Sequence, residues 1–164
     1  MDKKQYLESL YKILREHSNF DIKPNVAIFL DTVDLIVEQG DPSCISELIK
    51  YPQRDSDYTW LSEIIGSAIE EFKDPNYTEE ILKNLEFLLN NYPEWMAGIL
   101  VRTFNYAEGY TYFKKRSIEM SRQDPHFREI LLNALDVLRK EFPDDEESFR
   151  NRSQKIDTLK KLVS

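Results

Sequence analysis

The sequence predicts an all-α protein, a short right-handed α-solenoid of the HEAT or armadillo kind with about nine helices in three repeats of roughly 50 residues. Three observations predict it. Glycine occurs only at 40, 66, 98 and 109, and no segment alternates apolar and polar residues cleanly over five or more positions, so strands are not expected. Apolar residues recur at helical spacing instead, as in Tyr6, Leu7, Leu10, Ile13 and Leu14, and again in Leu61, Ile64, Ile65, Ala68, Ile69 and Phe72. The third observation is a period in the prolines: Pro24, Pro75 and Pro125 are 51 and 50 residues apart, as are Pro42, Pro93 and Pro143.

The helices are expected near 3–17, 25–38, 42–50, 57–72, 77–90, 93–105, 110–122, 125–141 and 145–162. Proline is tolerated in a helix's first turn and disfavoured inside it, while a preceding Asp can cap the exposed amides. Asp41-Pro42, Asp74-Pro75 and Asp124-Pro125 have that form. Asp2 with Gln5 and Asp144 with Glu147 have capping-box spacing. Residues before the second proline of each repeat also agree, in Val33-Asp34-Leu35-Ile36, Leu85-Glu86-Phe87-Leu88 and Leu135-Asp136-Val137-Leu138. Tyr58-Thr59-Trp60-Leu61 is echoed by Tyr110-Thr111-Tyr112-Phe113. The alternative is a non-repetitive helical bundle with chance proline spacing.

A chain of 164 residues predicts one domain, 1–164, and 41% hydrophobic residues suffice for a core. The net charge of −8 argues against a general nucleic-acid binder, which needs basic surface to displace counterions. Cys44 is the sole cysteine, so a disulfide framework is excluded and the expected compartment is a reducing cytoplasm. No apolar run approaches signal or membrane-span length, and no membrane partner is expected. The charge is uneven. From Ile28 to Glu94 there are 15 acidic residues against four basic, a balance of −11, whereas from Val101 onward 11 acidic face 13 basic. An acidic excess on consecutive helices can form a patch that attracts a basic partner, or can be an ordinary solvated surface.

Motifs for chemistry are sparse. No glycine-rich loop could cradle phosphate, and His17 and His126 lack paired ligand spacing, so neither cofactor nor metal is expected. Cys44 reads as a small buried hydrophobe. Adjacent acids such as Glu70-Glu71 and Glu79-Glu80 point about 100° apart on a helix and do not converge as a catalytic pair must. Lys114, Lys115, Arg116 and Arg122 read as a solvated helix face, and an enzyme is not expected. Aromatics crowd the middle of the chain. Trp60 and Trp95 are expected to wedge between stacked helices, and Tyr106 and Tyr110, placed in a loop with Gly109, are candidates for exposure.

The segment Asp57-Tyr58-Thr59-Trp60-Leu61-Ser62-Glu63-Ile64-Ile65, then Tyr92-Pro93-Glu94-Trp95 and Leu100-Val101-Arg102-Thr103-Phe104-Asn105, resembles the all-α immunity proteins of bacterial polymorphic toxin systems, specifically immunity protein family 30. The resemblance covers roughly residues 30 to 122. It maps the family's Pro-x-Trp helix start, with its following Arg and Asn, onto Trp95, Arg102 and Asn105, and departs from the family at Thr103-Phe104, where a more aliphatic pair is usual. It implies a cytoplasmic protein, without catalysis, that binds and neutralises a cognate toxin domain. Many such toxins are nucleases with basic phosphate-holding sites, to which an acidic helical surface is complementary. On that reading Asp31, Asp34, Asp55, Asp57 and Glu63 supply ionic contacts, and Tyr58, Tyr106 and Tyr110 apolar anchors. Arg102 and Asn105 serve either binding or the loop after the Trp95 helix. The competing reading is a helical-repeat adaptor or regulatory subunit that binds a host protein or peptide.

Overall fold

The computed structural model describes residues 2–51, 60–142 and 150–164. Among these residues it is all-helical, with ten α-helices and no strand. Chain contacts gather into two compact units, Met1–Lys73 and Asp74–Ser164, each with its own core.

The first unit contains α1 (Lys3–Glu16), α2 (Lys23–Glu38), a 3-10 turn (Pro42–Cys44), α3 (Ile45–Leu48) and α4 (Trp60–Ile69). The Asp2 carboxylate accepts from the Gln5 amide at 2.8 Å while the Asp2 amide donates to Gln5 Oε1 at 3.2 Å, which is the capping box expected at this start. Asp41 likewise accepts from the Ser43 amide at 3.1 Å and its hydroxyl at 2.7 Å. The predicted helix over 42–50 is instead a 3-10 turn followed by the four residues of α3.

α2 packs against α1 and α4, and α3 against α4. Leu7, Leu10 and Leu14 of α1, Phe29, Val33 and Ile36 of α2, and Leu61, Ile65 and Ile69 of α4 are buried. Phe29 is wholly enclosed, with its ring edge-on to Phe20 at 5.0 Å and to Tyr51 at 5.2 Å.

The second unit contains α5 (Asn76–Lys83), α6 (Leu85–Asn91), α7 (Pro93–Asn105), α8 (Ala107–Gln123), α9 (Pro125–Glu141) and α10 (Arg150–Val163). The bounds of α7 and α9 are those predicted, each with proline in the first turn, and Asp124 caps α9 by accepting from the His126 amide at 2.9 Å. α9 lies at the centre and packs against α6, α7, α8 and α10. Its buried Leu131, Ala134, Leu135 and Leu138 form one stripe.

In the first unit α4 ends at Ile69 rather than 72, and in the second unit two larger differences from the sequence reading occur. The helix expected over 77–90 is broken at Asn84, whose side-chain amide donates to the Glu80 carbonyl at 2.8 Å and so competes with the backbone ladder. The loop expected around Tyr106 to Tyr110 shrinks to Tyr106 alone, because α8 begins at Ala107 rather than 110. Gly109 is buried in this first turn, where a Cβ would lie 3.4 Å from both Asp74 Oδ2 and the Tyr106 ring. The expected Asp144–Glu147 capping box lies outside the described residues.

Lys155 of α10 closes the second unit locally. Its ammonium donates to the Phe104 carbonyl at 2.6 Å, near the C-terminus of α7, and sits 4.8 Å from the centre of the Tyr110 ring. Lys155→Met keeps the stem and removes the donor, and is expected to cost about 1 to 3 kcal/mol in urea unfolding.

Candidate functional site

α2 is two-sided. Its inner stripe, Asn25, Phe29, Thr32, Val33 and Ile36, is buried, and Thr32 satisfies its hydroxyl locally by donating to the Ile28 carbonyl at 2.6 Å. The helical repeat then forces Ile28, Asp31, Asp34, Leu35 and Glu38 onto the opposite side, within an arc of about 120°. All five are exposed. Ile28 is 38% and Leu35 39% exposed, and Ile22, one residue before the helix, is 52% exposed.

The carboxylates on this stripe differ in standing from others in the same unit. Glu47 is committed to its own fold, receiving Lys50 at 2.6 Å, Arg15 at 3.1 Å and the Tyr51 hydroxyl at 3.2 Å. Burial alone would raise the Glu47 carboxyl, but Lys50, Tyr51 and Arg15 together hold it below the usual carboxylate range. Asp41 is held low chiefly by the hydrogen bond from Ser43. Asp31, Asp34 and Glu38, by contrast, form no ion pair among the described residues, and the single cation of α2 is Lys23 at its first position. The stripe is therefore negative, solvated and interleaved with aliphatic side chains.

The remaining predicted site residues divide as follows. Glu63 is exposed on α4, and Trp60 opens α4 half-buried with its ring 6.3 Å from Phe20. Asp55, Asp57 and Tyr58 lie outside the described residues. In the second unit Tyr106 is exposed, 61% by area, and its hydroxyl donates to Glu108 at 3.3 Å. Tyr110 is not an exposed loop anchor. The early start of α8 turns it inward, where its ring lies 5.0 Å from Phe104 and its hydroxyl donates to the Lys155 carbonyl at 3.1 Å. Trp95 is half-buried, 6.3 Å from the Tyr92 ring, while Arg102 and Asn105 are exposed on the last turn of α7.

Sequence reading found Asp31 and Asp34 but missed Ile22, Ile28, Leu35 and Glu38. The signal was present: 28, 31, 35 and 38 are spaced by three, four and three, which is one helix face.

The second unit also has a groove of about 320 Å³, with Leu82, Met120, Phe127 and Ile130 among its lining. Lys83, Glu86, Arg116 and Asp124 line it too, and His126 meets Glu86 at 3.2 Å. The groove thus presents both signs of charge and selects no single class of partner. Arg116 is already engaged by Glu79 at 2.7 Å and Glu119 at 3.3 Å.

Burial pushes the Tyr51 hydroxyl up to about 12, reinforced by Glu47, and burial raises Tyr11 further still. Both tyrosines hold their protons more tightly folded than unfolded. For Tyr51 the stabilising contribution is present below about pH 10, the unfolded value, and is lost as pH rises through the folded value near 12. Urea midpoints of the whole chain are expected to fall over that alkaline window, and Tyr51→Phe should flatten the fall.

No described helix is long and apolar enough to cross a membrane. Comparison of the chain with protein-family models, with curated protein sequences and with solved structures returns no significant match.

Proposed function

We propose that this chain is an immunity protein that binds and neutralises a cognate bacterial toxin domain through an acidic helical surface. The observation that carries the reading is the outer stripe of α2, where Asp31, Asp34 and Glu38 stand unpaired among the described residues beside exposed Ile28 and Leu35. Binding, with no chemistry of its own, is all that neutralisation requires. An acidic face steers a basic partner into encounter, and slow release then holds the complex, with affinity around nanomolar or tighter. A nuclease-type toxin, whose phosphate-holding site must be basic, is the partner class that fits. The motif resemblance around Trp95, Arg102 and Asn105 implies the same reading, although no family model matches the chain, and the compartment it implies is the cytoplasm.

The repeat arrangement belongs to this proposal. Pro24, Pro75 and Pro125 stand at the starts of α2, α5 and α9, so equivalent helices of an α-solenoid would begin at the predicted period.

The test is growth rescue. The C-terminal domain of the protein encoded immediately upstream is expressed with and without this chain. Restored growth together with a co-purifying complex is the expected result. A toxic domain that this chain neither neutralises nor binds would overturn immunity to it, and the helical adaptor would become the working reading.

A further inference from the structure

The outer stripe of α2 combines two kinds of side chain in one row. Ile28 and Leu35 are seven residues apart, two turns along the same line of the helix, and Asp31 lies between them. Single exposed aliphatics are ordinary on protein surfaces. Two on one line, flanked by carboxylates that no described cation neutralises, place apolar anchors at i and i+7 of one helix face with an acidic row beside them, so that the face can lie along an apolar groove whose rim is basic.

We infer that α2 is a recognition helix, and that its partner surface is an apolar cleft rimmed by Lys and Arg. Ile28 and Leu35 enter the cleft, and Asp31, Asp34 and Glu38 meet the rim. The inference rests on the immunity reading and specifies what surface the toxin domain presents. Charge complementarity selects this occupant: a nucleic acid or an anionic membrane would meet a row of like charge. A second copy packed α2 against α2 about a two-fold axis would oppose identical carboxylates. The two kinds of residue divide the kinetics. Carboxylates act over a Debye length of about 8 Å and govern encounter, whereas desolvated aliphatics act only in contact and govern release.

The experiment measures association and dissociation rates of the full chain on the purified upstream toxin domain, at low and high ionic strength, with growth rescue in parallel. Ile28→Ser with Leu35→Ser is expected to raise the dissociation rate about a hundredfold with little change in association. Asp31→Asn, Asp34→Asn and Glu38→Gln together should slow association about tenfold at low salt and flatten its salt dependence. Glu129→Gln, exposed on α9, is the control, and circular dichroism melts verify that every variant folds.

If wild type binds and rescues while the aliphatic pair leaves dissociation within about twofold, the cleft is overturned and the immunity reading stands. Unchanged association in the carboxylate variant overturns the basic rim in the same way. If the wild-type chain self-associates and the aliphatic pair abolishes that association, the stripe belongs to a second copy and the inference fails. Failure of wild type both to bind and to rescue overturns the immunity reading, and this inference with it.

Discussion

The combined reversal Asp31→Lys, Asp34→Lys and Glu38→Lys is expected to abolish growth rescue while leaving the thermal unfolding midpoint nearly unchanged. Charge-steered association runs at about 10⁸ to 10⁹ M⁻¹s⁻¹ at low salt, against about 10⁵ to 10⁶ without steering, and like charges facing across an interface cost several kcal/mol more. Three simultaneous reversals therefore remove encounter and oppose docking. Folding is insulated for two reasons. None of the three carboxylates forms an ion pair among the described residues, so the reversal breaks none of the described ion pairs. Glu38→Lys also places one cation in the last turn of α2, which has no basic residue now and where the helix dipole favours it. Rescue assays and calorimetry on the same variant check both halves. Persisting rescue would remove this face from the interface, and a collapsed melting curve would make the carboxylates structural.

Phe29→Ala is expected to cost about 3 to 5 kcal/mol, read as a lowered urea midpoint. The ring is fully enclosed and touches Phe20 and Tyr51 edge-on, so its removal leaves a cavity and strips two aromatic contacts at once. Natural domains hold only about 5 to 15 kcal/mol in reserve, so the variant should lose much of the first unit's ordered packing at growth temperature. Phe29→Leu, which retains most of the volume, should cost distinctly less. Equal midpoints for the two replacements would show that packing volume does not fix this position.

Much of the fold was legible in the sequence because its punctuation is chemical. The Asp2 capping box and the Asp124-Pro125 start act through hydrogen bonds between near neighbours, and α7 and α9 have the predicted ends. The errors came where a local competitor intervened. Asn84 offers the backbone an alternative bond and divides a helix that periodicity alone would continue. Tyr106 to Gly109 has loop-like composition, yet α8 starts at Ala107, and Tyr110 is carried inward to the Lys155 carbonyl. For the candidate site, counting charge along the chain located the acidic region, but only placing residues around α2 shows that Ile28 and Leu35 share its face. Exposure of an aliphatic side chain depends on which neighbouring helix covers it, and that is a tertiary fact.

The division of α2 into a covered side and a bare side separates two inheritances. Changes at 29, 33 and 36 must answer to the packing of the first unit, whereas changes at 28, 31, 34, 35 and 38 meet no such constraint. Substitutions on the bare side can accumulate and recombine without refolding the protein. If the proposed immunity function holds, a lineage of such chains can keep one scaffold while exchanging partners, and pairs that differ most at those five positions should cross-neutralise least.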